Sequence, residues 1–529
     1  MGPFIAPARF QVTGTMFHLF SSLVFGLSVY VLLRWFGSTR NQSGYPPGPQ
    51  PIPFIGNVHQ VPKGEIFKTY SSWAKIYGPI VHFRIFRRRF IILNDLKTID
   101  DLLVKRSSIY STRPRLVMAN ELLGRDENGI AFLKYGQRLK DVRRIVTSWV
   151  NGSSLQEVYP IMKSYNMKYL NALLDKPDDC LTHVRFFLGS LVMKLTYGIE
   201  CTSSDDRYIT QTEEMNRITS KALAPGRWLC DDFPILAKIP SWMPFAYFRR
   251  WAIESRKLIN EAILEPFETT RDSLLRFEPN NSWLAKMMHD SDGKPVTGRA
   301  AEDLWIAASA MYNGSIDSST TIASTFFLMM LRHPEIQRKA QSEIDMVVGS
   351  DRLPVMKDKD ALPYVNNILK ESLRFASVIP VIPRSLDEDD VYMGYRIPKG
   401  TWVIANVWAV LHDPSVFKNP DEFRPERFED SEDRPAEPDI VQSAFGFGRR
   451  ACPGYQLALT NLFMTVAPVL SAFDIKRAIN DNGEDEIPPV AYSDGHVRFL
   501  QPFKFRVIPR SLEKIELIRR REGVETEFL

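Results

Sequence analysis

The sequence predicts a mainly α fold with small β-sheets, an α+β protein built as one large domain behind an apolar N-terminal segment. Three observations carry that expectation. Most of the 529 residues fall in stretches whose apolar side chains recur at helical spacing. Short β-branched and aromatic runs interrupt them near 77–93, 391–410 and 499–507. No internal repeat divides the chain after residue 56. The expected organisation is a segment 1–36 with an apolar span at about 16–35, a proline-rich hinge at 37–56, and a single domain at 57–529.

Composition narrows the class of function. Apolar residues make up 44% and charged residues 24%, so the chain buries a core. A net charge of +5 over this length gives no basic surface of the kind that grips nucleic acid. The four cysteines, Cys180, Cys201, Cys230 and Cys452, are too scattered for a disulfide framework, and no paired spacing suggests zinc.

Residues 16–33 carry no charge with His18 neutral and end against Arg34, Trp35 and Phe36, as a retained membrane anchor would. Arg34 and Arg40 follow the span while only Arg9 precedes it, which places the body on the cytosolic side. The hinge Tyr45-Pro-Pro-Gly-Pro-Gln-Pro-Ile-Pro53 is too proline-rich for helix and reads as a stiff spacer. Strands follow at 80–85 and 90–93, then helices through 99–197, 212–224 and 249–276, with an irregular link at 228–244. Further helices are expected at 302–331, 335–348, 363–375 and 455–473, strand-like pieces at 391–398 and 401–410, and a terminal sheet from 488–490 and 499–507. Residues 514–529 read as polar and peripheral.

Within the long helix 302–331, Gly314, Ser315, Asp317, Ser318 and Ser319 form a polar cluster that burial obliges to find partners. Two arrangements answer this: serines bonded back to carbonyls, or an opened turn that holds water and passes protons inward. Glu371 and Arg374 share one helical face. The decisive stretch is Phe445-Gly-Phe-Gly-Arg-Arg-Ala-Cys-Pro-Gly454, which delivers Cys452 to the start of the apolar helix 455–473. Backbone N–H groups and the helix dipole at such a place favour thiolate, and a thiolate can be an axial ligand to haem iron. Gly446 and Gly448 permit a tight turn, Phe445 can cover the sulfur, and Arg449 and Arg450 offer cations to carboxylates.

Phe445, Gly448, Arg450, Cys452 and Gly454 match every fixed position of the haem-binding signature of the haem-thiolate monooxygenases, the cytochrome P-450 superfamily. The chain resembles that family from the hinge onward, and in particular a fungal, membrane-bound member of specialised metabolism. The resemblance implies haem b held by Cys452 as metal ligand, with Phe445, Gly448, Arg450 and Gly454 around it. Arg143 and Arg384 become partners of the haem propionates. Leu139 stands where a propionate-binding tryptophan is usual, and Lys140 is a possible helper. Asp317 and Ser318 become the proton-delivering catalytic pair, although Ser315 replaces a usual glycine and Ser318 a usual threonine. Glu371, Arg374 and Arg427, the last from Pro425-Glu-Arg-Phe428, become a structural triad. Val378, Ile379, Val381 and Ile382 line an apolar cavity, and the terminal sheet sends a loop into it.

The implied activity is insertion of one oxygen atom from O2 into a C–H bond of a lipophilic small molecule such as a terpenoid. NADPH electrons arrive through a partner reductase, with cytochrome b5 as a second donor. The implied location is the endoplasmic reticulum membrane, single-pass, with the catalytic domain in the cytosol and no nucleic-acid partner. The alternatives are a desaturase or multi-step oxidase on the same scaffold, and a non-catalytic haem-fold binding protein, which only Ser315, Ser318 and Leu139 favour.

Overall fold

Strands β1 (Ile80–Ile85) and β2 (Arg88–Leu93) form an antiparallel hairpin in which Phe83 lies opposite Phe90, their rings stacked with centroids 4.7 Å apart. β3 (Val381–Ser385), the short pair β4 (Asp390–Tyr392) and β5 (Tyr395–Ile397), and β6 (Trp402–Asn406) come much later in the chain. β6 runs parallel to β2 and antiparallel to β3, giving a four-stranded sheet in the order β1-β2-β6-β3. A third sheet joins β7 (Phe473–Ile479) to β8 (Asp485–Glu486) and β9 (Phe505–Pro509). The computed structural model describes residues 44–62, 64–432, 434–479 and 483–520, with positions 22, 25, 26, 29 and 30. Apart from those last positions, the anchor expected at 16–35 lies outside the described residues, as do 37–43 of the hinge and 521–529.

Most of the other regular structure among the described residues is helical. The helices that position the site are α1 (Gln137–Trp149), α2 (Cys180–Tyr197), α3 (Arg207–Leu223), α4 (Tyr247–Leu275), α5 (Gly298–Arg332), α6 (Pro363–Ala376) and α7 (Tyr455–Ala472). α5 crosses the middle of the domain against α1, α2, α6 and α7. It is apolar around most of its circumference because it is buried on most sides. It ends at His333, where Pro334 disfavours helical backbone for the preceding residue and opens the next helix, Pro334–Val348. Among the described residues, α7 alone is long and apolar enough to cross a membrane, but most of it is buried in the protein core.

Several local expectations need correction. Residues 401–410 are strand only to Asn406, whose side chain accepts a hydrogen bond from the Ala409 N–H at 3.3 Å and starts the helix Val407–Leu411. Residues 488–490 are irregular, and the missing sheet partner is β7, which begins at Phe473 directly after α7. The link at 228–244 contains two short helical turns, Leu229–Asp232 and Pro234–Lys238. Beyond 510 lies the helix Leu512–Arg519, and its Lys514 is buried, donating to Ser471 Oγ at 3.2 Å. The hinge is also tied down: the His82 N–H donates to Pro47 O at 2.9 Å, and Asn57 Nδ2 donates to Pro49 O at 3.0 Å.

Candidate active site

The loop before α7 folds back on itself, with the Cys452 N–H donating to Phe445 O at 2.8 Å. Gly448, at φ +60°, passes so close to the chain after β2 that an added Cβ would lie 2.0 Å from the Leu103 carbonyl oxygen, so no larger residue fits. Gly446, at φ +86°, faces Ile382, whose Cδ1 would lie 3.4 Å from an added Cβ. That contact sets the apolar strand β3 beside the cysteine loop. At Gly454 an added Cβ meets no protein atom; its N–H instead points to the Cys452 sulfur. Phe445 packs on Tyr455, the centroids 6.1 Å apart.

Cys452 lies deep in the protein and still keeps accessible surface, so its sulfur borders an internal space. Burial pushes the thiol above its ordinary value, while the Gly454 N–H and Arg143 act in the opposite direction. The expected help from the helix start and a nearby cation is thus present in sign, but it does not outweigh burial.

Arginines converge beside this loop. Arg450 donates to Ser111 O at 2.8 Å and Leu133 O at 2.6 Å. Arg143 on α1 donates to Ala451 O at 2.8 Å. Arg384 on β3 is 2% exposed and donates only to the neighbouring Pro383 O at 3.2 Å. Arg113, not foreseen from the sequence, donates to Ala131 O and Pro383 O, both at 2.9 Å. Burial lowers the pKa of Arg113 to about 10 and of Arg450 to about 9, and the neighbouring guanidiniums add to the effect. Arg384 is pulled well down by burial first, then by Arg113, Arg450 and Arg143. Among the described residues no carboxylate is hydrogen-bonded to any of the four, although the charge of Asp387 acts on Arg450 against the lowering. Buried cations held only by neutral carbonyls are costly, and the chemistry that relieves the cost is an adjacent dianion. The donor set therefore fits the two propionates of a haem. Arg449 instead donates to the Tyr135 hydroxyl, Lys140 lies over the same ring at 5.7 Å, and Leu139 is buried core with no donor to offer.

A second set of buried arginines shows the contrasting case. Glu371 accepts from Arg374 Nε at 2.7 Å and Nη2 at 2.8 Å, from Arg427 Nε at 3.0 Å, and from the Arg424 N–H at 2.9 Å. Glu371, Arg374 and Arg427 are all fully buried. Glu437, also unforeseen, completes the group by accepting from Arg427 Nη1 at 2.5 Å and Arg424 Nη2 at 3.1 Å. Here carboxylates answer the cations within the chain, so the group ties α6 to the loop 411–437.

On α5 the polar cluster takes the first of the two arrangements. The helix is unbroken, Ser318 Oγ donates to Gly314 O at 3.2 Å, and Ser315 Oγ donates to Tyr312 O at 3.0 Å. No opened turn is present. Asp317 is buried and turned toward α2 and α3, accepting from Arg185 Nη2 at 3.2 Å and Asn216 Nδ2 at 2.9 Å. Burial raises its pKa, against the pull of Arg185 and Asn216. Asp317 and Ser318 are adjacent in sequence but are not hydrogen-bonded to one another.

Comparison with known proteins identifies the family of the chain. The family described as Cytochrome P450 matches residues 46–491. The chain is 36% identical to Cytochrome P450 monooxygenase claR of Ampulloclitocybe clavipes, over 94% of this chain and 92% of that one. It is also 36% identical to Cytochrome P450 monooxygenase COX2 of Coprinopsis cinerea, over 93% and 94% respectively, and to Cytochrome P450 monooxygenase 105 of Postia placenta, over 92% of each. The chain therefore belongs to the cytochrome P450 family, and it is an NADPH- and O2-dependent monooxygenase whose haem b carries an axial cysteine thiolate and is reduced through a partner protein.

Proposed function

We propose that Cys452 is the thiolate ligand of the haem, and that the enzyme oxygenates a C–H bond of a lipophilic secondary metabolite such as a terpenoid at the endoplasmic reticulum membrane. The observation that carries this reading is the meeting of Cys452 with Arg113, Arg143, Arg384 and Arg450, none of which is hydrogen-bonded to a carboxylate among the described residues. The haem, when bound, supplies the iron at which O2 is activated. The chain's own residues hold and surround it. The arginines would hold its carboxylates, Phe445 and Gly448 would shape the cysteine loop that receives it, and the Glu371 group would keep the support of that loop rigid.

Ile382, half-buried beside the cysteine loop, gives the substrate an apolar wall that half-buried Val378 and the more open Ile379 extend. Asp317 takes up protons on the side of Arg185 and Asn216, and Ser318 presents a hydroxyl on the neighbouring face of α5. The apolar stretch at 16–35 supports a membrane anchor, and the fungal relatives support a role in fungal metabolism.

Membranes carrying the protein and a fungal reductase, given NADPH and a panel of terpenoid and aromatic compounds, test the proposal. The expected result is a product heavier by one oxygen, lost in Cys452→Ser. Products lighter by two hydrogens would assign desaturation instead. Haem-loaded membranes that oxidise no terpenoid but do oxidise an aromatic would overturn the substrate class, and ones that oxidise neither would overturn the proposal as a whole.

A further inference from the structure

The outward face of α4 carries a pattern that the oxygenation chemistry does not use. The buried side of this helix, from Ala252 through Ile259 and Ile263 to Thr270, packs toward α3 and α5. On the other side lies a stripe at helical spacing: Arg250, Ile253, Lys257, Glu261, Leu264 and Glu268. The first five are exposed and Glu268 is partly exposed. Along the helix the stripe runs basic, apolar, basic, then acidic, apolar, acidic. The helix as a whole divides the same way, with four basic residues and one acidic over 247–260, and four acidic and one basic over 261–275.

That order does not serve α4 itself. Its first turn holds no acidic residue and its last turn no basic one, so the side-chain charge runs against the helix dipole. Lys257 precedes Glu261, the weaker order for an ion pair four residues apart, and the two stand 3.7 Å from one another. Arg250 donates to the neutral Ser241 O at 2.9 Å and Met243 O at 3.0 Å. Glu268 has an exposed partner in Arg271. To the side of the stripe the charges are answered within the chain, Arg256 by Glu127 and Glu265 by Arg207, both at 2.8 Å. An open groove of about 780 Å³ runs along α4 beside Ile253 and Leu264, with Leu122 and Ala252 in its lining.

We propose that this face binds a second copy of the chain, the two α4 helices lying antiparallel about a two-fold axis near Leu258. In that pose Arg250 of each copy meets Glu268 of the other, Lys257 meets Glu261, and Ile253 meets Leu264, so every contact occurs twice. The stripe is complementary to its own reversal. A parallel copy would set like charges together, and a lipid surface would select one sign where the stripe offers two of each. Leu258, exposed beside the centre of the stripe, and the groove supply apolar area to the contact.

The test is co-capture of two differently tagged copies of the full-length, haem-loaded protein, co-expressed and solubilised from membranes in mild detergent. Wild type should bring down its differently tagged copy, and less of it at about 1 M salt, where charges are screened beyond about 3 Å. Lys257→Glu paired with itself, and Glu261→Lys paired with itself, should each associate about twofold to thirtyfold more weakly, what the loss of two exposed ion pairs amounts to. Lys257→Glu co-expressed with Glu261→Lys should recover the association, because each introduced charge then faces its opposite. A chain carrying both substitutions should recover it too. All variants should keep the haem content and reduced carbon-monoxide spectrum of wild type, since both residues are exposed. Wild type that captures no second copy would overturn the proposal. Capture that neither single variant weakens would assign the association to another surface, such as the N-terminal apolar segment, and overturn it as well. Single variants that weaken capture without recovery in the mixed pair would show that Lys257 and Glu261 do not meet across the interface, which refutes the antiparallel pose.

Discussion

Two Glu–Arg pairs in this chain have the same spacing and nearly the same geometry but opposite surroundings, and together they measure what burial contributes. Glu371 and Arg374 are joined by bonds of 2.7 and 2.8 Å with both side chains 0% exposed. Glu214 and Arg217 are joined by two bonds of 2.6 Å with side chains 38% and 64% exposed. Arg374→Ala leaves Glu371 with Arg427 as its remaining buried cation and strips donors from Leu411 O and Glu422 O. Breaking a buried pair in this way costs about 3–5 kcal/mol. Arg217→Ala exposes nothing that water cannot satisfy and should cost about 0.2–1 kcal/mol. Urea unfolding of the haem-loaded proteins, followed by far-ultraviolet circular dichroism, reads the difference. If Arg374→Ala does not fold, Arg374→Lys, which keeps the charge and loses the two-pronged grip, should still fall well below Arg217→Ala. Equal stabilities for the buried and exposed variants, within about 1 kcal/mol, would refute the reasoning.

Other outcomes follow from the same physics. Arg384→Met removes a buried cation that no carboxylate answers, so the haem-free protein should be no less stable, while haem is lost faster to a scavenger protein; a destabilised apoprotein with unchanged haem loss would contradict the role given to the cluster. Ser318→Ala should raise peroxide released per NADPH consumed, and an unchanged ratio would remove Ser318 from proton delivery. Asp231, which caps the Met118 N–H at 2.9 Å, has its carboxyl raised by burial to about 6. With a folded-state pKa above the unfolded one, wild type should gain stability as pH falls from about 6 toward about 4. Asp231→Asn should lack that gain, and parallel pH profiles for the two proteins would exclude the effect.

Much of the site was legible in the sequence because its key groups come as short local patterns. The loop around Cys452 and the Glu371–Arg374 face are read directly from spacing, and the long helices follow from apolar periodicity. What was missed depends on distant parts of the chain. Arg113 is an unremarkable loop arginine until β3 brings Pro383 O to it. Glu437 sits in an acidic, proline-containing stretch, and only the fold turns it onto Arg427. The helix at Val407–Leu411 shows the competing effect at short range, since its β-branched residues suggested strand until the Asn406 cap decided otherwise. On α5 the serines satisfied the helix's own carbonyls, so polarity alone did not open a turn.

The measurement that bears most directly on the central claim is the absorbance spectrum of the reduced, carbon-monoxide-bound protein, recorded for wild type and Cys452→His at matched haem content. The account predicts the thiolate-type spectrum in wild type and its replacement by the imidazole-type spectrum in Cys452→His. A thiolate-type spectrum that survives the substitution would mean that another cysteine holds the iron, and the site built here around Cys452 would be wrong.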